Sequence, residues 1–292
     1  MLFLVLRILC APTAVLVGTV AQRRFGHAVG GLVVGLPLLF LPFLWLIAYD
    51  YGVNFARAMT GSLLIATSAE VALMWTFAFL ASRFSATCST VGALAAFVLV
   101  AGVLKTVHVS LVVGAVLGVL SLTLALVLWP RTTSRTTRAS VVGKARLGLR
   151  LVVSTLFTVV LISFAGRLGA SLSGIVDAIP LTSLMMAFFT RHESNAESSS
   201  LFLRGVTRGS FSYVVAMFVL VETWRTGNEL AAFGLSLGAA LVVQLAVQSG
   251  DSLSSLLHSL KSERLNRKVA SRVQRRVPGA TTFKKFYESI SA

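Results

Sequence analysis

Apolar runs of about twenty residues recur along the chain, and short gaps between them hold most of its charge. A soluble chain would alternate polar and apolar faces within each run, and this one does not. Period-two alternation over about ten residues, the mark of a membrane β-strand, is also absent. The pattern predicts an all-α fold, a polytopic transmembrane helix bundle of about nine spans. They fall at residues 2–21, 28–49, 55–81, 87–104, 108–129, 151–166, 170–190, 202–224 and 229–248.

Two of these stretches echo each other. RLGASLSGIVDAIPLTSLMMAFFTR, from Arg167 to Arg191, repeats the skeleton of RFGHAVGGLVVGLPLLFLPFLWLIA, which begins at Arg24. One constant offset pairs Arg24 with Arg167, Gly26 with Gly169, Gly31 with Gly174 and Pro37 with Pro180. Apolar matches arise by chance in any membrane protein, so arginine, glycine and proline carry the comparison. Each copy reads as an Arg-Gly entry followed by a helix broken near proline, at Gly31 and Pro37 in the first and at Gly174 and Pro180 in the second. The expected plan is a transmembrane repeat over 1–106, a connecting span with a basic loop over 107–150, a second repeat over 151–249, and a tail over 250–292. Four spans in each repeat, separated by one, make the copies inverted, the recurrent plan of secondary transporters. The ten residues RHESNAESSS, which follow span seven, read as a polar flexible loop.

Composition changes this picture little. Hydrophobic residues make up 56% of the chain and charged ones 12%, which fits the membrane class. A net charge of +16 would suggest nucleic acid in a soluble protein. Here it gathers in loops, where basic residues hold a segment on the cytoplasmic side. Arg131, Arg135, Arg138, Lys144, Arg146 and Arg150 share one loop, and the tail adds a second basic group. Both should lie inside, which puts the amino terminus outside and the carboxyl terminus in the cytoplasm, in a bacterial cytoplasmic membrane. The first apolar run lacks a basic region ahead of it, so it reads as a retained span and not a signal peptide. From Ser252, apolar residues at three- and four-residue steps among Lys and Arg predict an amphipathic helix on anionic lipid.

Glu70 is the sharpest chemical feature. It falls near the middle of span three, and a carboxylate at that depth costs about 2.5–3.5 kcal/mol on insertion scales. It must face the bundle interior or be protonated, and Thr67, three residues earlier, shares its face. Two readings stand: a proton- or cation-coupling group, or an internal ion pair. Asp177 lies three residues before Pro180, where a broken helix exposes carbonyls and amides that hold ions. Its alternative is a local partner for arginine. Arg24 and Arg167, related by the repeat, are candidates for an anionic group, with anchoring at the interface as the plainer reading. Small residues one turn apart at Gly31/Gly35, Gly114/Gly118, Gly205/Gly209 and Gly234/Gly238 predict close helix packing. The four histidines form no metal pattern, Cys10 and Cys88 form no framework, and no phosphate loop, nucleophile elbow or dinucleotide fingerprint occurs. No cofactor, metal or enzymatic activity is expected.

The stretch from Gly166 to Trp224 resembles a pattern in bacterial inner-membrane proteins, similar in style to small GlpM-like membrane proteins. That pattern reads G-P-R-L-S-G-L-L-x-x-F-P-V, then F-x-H-R, then L-L-R-G. Gly174, Pro180, Phe189, Arg204 and Gly205 fit it. Gly166 is followed directly by Arg167, without the proline, and F-x-H-R is inverted to FTRH over Phe189 to His192. The resemblance covers about sixty residues and implies the fold without an established activity.

The function expected is a secondary transporter or flippase for a small anionic or lipid-linked substrate, coupled to a proton or cation. The alternative is a non-transporting membrane subunit that scaffolds an envelope complex. Expected partners are membrane lipid, a small anionic or amphiphilic substrate, and a second copy or an envelope protein. Nucleic acid is not among them.

Overall fold

A computed structural model of the protein describes residues 2–37, 40–106, 109–130, 147–153, 155–156, 159 and 179–249. Among these residues every regular element is helical and no strand occurs. In chain order they are α1 (Leu2–Phe25), α2 (His27–Gly35), α3 (Phe40–Tyr51), α4 (Val53–Ala81), α5 (Ala86–Thr106) and α6 (Leu111–Val127). After them come α7 (Leu181–Glu193), α8 (Ala196–Thr223), a 3-10 turn (Trp224–Thr226) and α9 (Glu229–Ser249). Residues 147–153 are helical too. Five segments are long and apolar enough to cross a membrane: His27–Tyr51, which joins α2 and α3, then α4, α5, α8 and α9. The chain has the make-up of a multi-pass membrane protein.

Residues Met1–Gln244 form one compact unit and Leu245–Ala292 a second, of which 245–249 are described, as the end of α9. Arg167, Gly174 and Asp177, most of the basic connecting loop, and the amphipathic tail lie outside the described residues.

Within the first unit the joints are set by glycine and proline. Gly26 separates α1 from α2 with φ +89°, and Gly52 separates α3 from α4 with φ +84°. Both take ψ near 160–170° (171° and 155°), a backbone region closed to residues with a Cβ. Around Gly26 the chain doubles back, so that Gly18 lies against Val34 and Gly30 against Gln22. Nine residues of α2 reach about 13 Å, less than half the ~30 Å of hydrocarbon a span must cross. Crossing requires α3, and between them the helix parts. Leu36, preceding Pro37, takes the extended conformation (φ −73°, ψ 144°) that a following proline favours. The chain resumes as helix when Phe40 and Leu41 both donate to the Pro37 carbonyl, at 3.0 and 2.9 Å.

α2 and α8 run parallel and touch through backbone. A Cβ added to Gly31 would lie 1.9 Å from the Phe202 carbonyl oxygen, and one on Gly35 2.4 Å from that of Val206. In return, one on Gly205 would meet the Ala28 carbonyl oxygen at 2.1 Å and one on Gly209 that of Leu32 at 2.6 Å. Gly31 therefore lies inside a helix and serves as a contact surface. Gly114 and Gly118 of α6 play a milder version of the same role against Ile65 and Thr67 of α4. Among the described residues, Gly234 and Gly238 of α9 meet nothing within 4 Å.

The stretch RHESNAESSS is not the flexible loop expected of it. α7 runs on to Glu193, and α8 starts at Ala196, leaving two residues as the joint. Asn195 caps α8 by accepting from the Ser198 amide at 2.7 Å. Ser198, Ser199 and Ser200 are buried, because small side chains that bond locally can sit in a tight interface. Ser199 donates to the Ala196 carbonyl, and Ser200 accepts from the Trp129 indole at 3.0 Å.

The core gathers around α4 and α8, with Phe77, Met74, Leu64, Phe202, Leu203 and Met217 almost wholly enclosed. The outer helices turn apolar side chains away from it. Val98 and Leu99 on α5, Val116, Leu120 and Leu124 on α6, and Val242 on α9 are all exposed. In lipid such faces cost nothing, whereas in water contiguous patches of this kind would drive association.

Candidate functional site

Glu70 stands on α4 between two residues whose neighbours locate it. Met74, one turn on, places its sulfur 3.8 Å from the Thr207 hydroxyl of α8. Thr67, three residues before, borders Gly118 together with Val214 of α8. α4 and α8 are antiparallel, as Arg57 near the start of α4 donates to the Val221 carbonyl near the end of α8 at 3.1 Å. Glu70 is therefore level with the turn of α8 around Ser210 and Phe211.

The break between α2 and α3 falls at that same level. Gly35 rests on Val206 and Gly209, and the Phe40 ring lies 5.7 Å from that of Tyr213, edge-on. Leu36 and Pro37, where the helix parts, thus lie level with the turn of α8 that is level with Glu70 on α4. Pro180, at the head of α7, lies farther from the end where α7 finishes, since Met186, six residues on, already touches the Gly18 and Val34 level. The six-residue rise is about 9 Å.

What this arrangement offers chemically follows from what is satisfied. Among the described residues no hydrogen bond or ion pair reaches the half-buried carboxyl of Glu70. Thr67 and Thr207 are buried and donate to their own helices, at Leu63 and Leu203, keeping their oxygens as acceptors. Ser212 donates to the Gly209 carbonyl and borders the Gln244 amide oxygen at 3.2 Å, while the Gln244 amide nitrogen is buried without a partner. At the break, Val33 regains a donor from Leu36 at 3.3 Å in place of the amide that proline lacks. A carboxylate, threonine oxygens and a helix end lie at one depth along α8, groups of the kind that take up a proton or a small cation.

Of the other predicted residues, Arg24 is exposed in the last turn of α1 and belongs to the end of the bundle, away from this spot. Asp177, Arg167 and Gly174 lie outside the described residues, so the described part of the site is Glu70, Thr67 and the Pro37 break.

A second group of polar side chains was not foreseen. α1, α4 and α7 finish, and α8 begins, at one end of the bundle, where Arg191 donates to the Ala81 carbonyl at 3.0 Å and Gln22 approaches Thr190 at 3.5 Å. There Arg150, expected in a solvated loop, is only 1% exposed. It pairs with Glu193 at 2.8 Å, reaches Thr19 at 3.4 Å, and lies over the Phe189 ring. Arg23 is within electrostatic reach of Arg150, and so is the buried His27. The signal was weak: an arginine closing a basic loop, and one of two acids in a polar run.

Compared with known protein families, with characterised proteins and with solved structures, the chain matches none.

Proposed function

We propose that the protein is a secondary transporter or flippase of a bacterial cytoplasmic membrane, moving a small anionic or lipid-linked substrate against a proton or cation. The observation that carries this is the shared depth, along α8, of Glu70 and the break at Leu36 and Pro37. An acid that no described residue satisfies, inside a 29-residue apolar helix and level with an unwound segment, is the arrangement of a coupling site. Its carboxyl would bind the coupling ion, with Thr67 supplying an oxygen. The second broken helix, with Asp177 and Arg167, would complete the site from the inverted copy. The amino terminus would lie outside and the basic loops inside.

The test is proton flux into proteoliposomes under an imposed pH gradient. Glu70→Gln should abolish the flux, with Glu70→Asp keeping part of it, in protein that remains monodisperse. Unchanged flux in the Gln variant would remove Glu70 from the mechanism. Cysteine labelling that found the Arg24 and Arg167 corners on one membrane face would remove the inverted plan. The competing reading, a scaffold subunit, draws on α9, whose Gly234 and Gly238 meet no atom of the described residues, as a contact surface would. Truncation after Asp251 should leave a carrier active and would disable a scaffold that works through its tail.

A further inference from the structure

At one end of the bundle α4 runs on past the end of α6, and the residues it carries beyond that point make a surface of their own. α6 follows α4 in the same direction, with Gly114 against Ile65 and Gly118 against Thr67. Just past its end, the Leu128 carbonyl accepts from the Trp75 indole at 3.2 Å. Phe79 and Arg83 follow Trp75 at four-residue steps on the same face, about 6 and 12 Å farther along. Arg83 stays in line because the turn after α4 keeps close to helical. The Arg83 and Phe84 amides both donate to the Leu80 carbonyl, at 2.9 and 2.8 Å. Trp129, next after Leu128, is drawn inward to Ser200 of α8.

The three side chains form a column. The Trp75 and Phe79 rings lie 5.3 Å apart and 8° from parallel, and the Arg83 guanidinium sits 4.5 Å over the Phe79 ring. Stacking occupies the flat face of a guanidinium and leaves the donors at its edge unused. Among the described residues no hydrogen bond or ion pair reaches this exposed guanidinium. Arg191, whose Nε holds the Ala81 carbonyl at the end of α4, has no acid partner among them either. A fork held in place with its donors free matches the oxygens of a phosphate. Beside the base of the column, Leu124, Val127 and Leu128 at the end of α6 are exposed, the surface an acyl chain would cover. A free phosphate would use the guanidinium alone, whereas a phospholipid uses both. With two arginines unmatched by acid, a headgroup of net negative charge fits better than one that carries its own ammonium.

We propose that the end of α4 seats an anionic phospholipid, with its phosphate on Arg83 and an acyl chain along Leu124 and Leu128 of α6. The inference rests on the membrane character of the chain and not on transport.

A tryptophan in contact with a brominated acyl chain loses its emission, so Trp75 reports on the seat, as the part of the signal absent from Trp75→Phe. In phosphatidylcholine vesicles holding the full chain, brominated phosphatidylglycerol should quench that part with a relative affinity at least about fivefold above brominated phosphatidylcholine. Arg83→Gln should bring the two lipids level. Arg83→Lys keeps the charge without the fork and should lose most of the preference. Equal quenching by both lipids in the native protein would overturn the proposal. So would a full preference in Arg83→Lys, which would assign the effect to diffuse charge. Should Arg83→Gln fold poorly, Phe79→Leu removes the platform, keeps every charge, and should at least halve the preference; no change there would sink the idea equally. Because the readout is contact with lipid, failure of the Glu70 flux experiment leaves this result standing.

Discussion

At the residue scale, the four glycines between α2 and α8 show how one missing methyl group sets a helix contact. Each faces a carbonyl oxygen of the other helix closer than any side chain could come, and the pairing is reciprocal. Lipid gives apolar helices no hydrophobic reason to associate, so backbone approach and dispersion must hold them. Gly31→Ala should therefore lower stability by about 1–3 kcal/mol, as overpacking does, or part the two helices. Gly234→Ala, in open space, should change stability by no more than about 0.5 kcal/mol. Thermal unfolding in detergent distinguishes the two. The spacing of these glycines was legible in the chain, because a four-residue step is a local pattern. That the first pair meets the third, and that the fourth meets none of the described residues, depends on contacts across some 170 residues, for which no local pattern exists.

At the element scale, proline and glycine fix where helices stop, and they were read unevenly: Gly31, expected at a break, lies inside α2, and Gly52, which does separate two helices, was not singled out. Pro37 stood out in the chain and the helix parts just before it, because proline lacks the amide and pushes Leu36 into an extended conformation. Pro37→Ala should leave the fold intact while lengthening α2, and flux in proteoliposomes should fall at least tenfold if the unwound segment is part of the path. Gly52→Ala should cost about 1–3 kcal/mol, since its φ of +84° suits only glycine, and an unfolding curve measures it. The Arg150–Glu193 pair was invisible at this scale. Its members are 43 residues apart, one at the close of a basic loop and the other in a run that looked solvated. What buries them is the two-residue joint between α7 and α8, set by an asparagine cap whose strength the surrounding serines concealed. Arg150→Met alone should destabilise by about 3–5 kcal/mol by leaving a buried carboxylate unpaired, and adding Glu193→Leu should restore most of that loss.

At the scale of the whole molecule, the membrane-like character was plain in the chain because length and apolarity are additive properties. Which face of each helix meets lipid was not, since the outer helices are apolar all round. The exposed positions on α5 and α6 decide it. Spin labels at Val98 and Val116 should relax readily with oxygen dissolved in lipid, and one at Phe77 should not; equal accessibility would contradict the described core. Glu70 was legible because a lone acid in an apolar run is conspicuous, whereas its sharing a depth with Leu36 and Pro37 required α8 as the common ruler. The glycine seam between α2 and α8 has one more consequence. Two backbones in direct touch have no slack to slide, so the opening segment of the first half is mechanically a passenger of the second. If the chain alternates as proposed, a swing that exposes Glu70 to one side and then the other would be taken up at the Gly26 bend and the break at Leu36 and Pro37, carrying α3 with it.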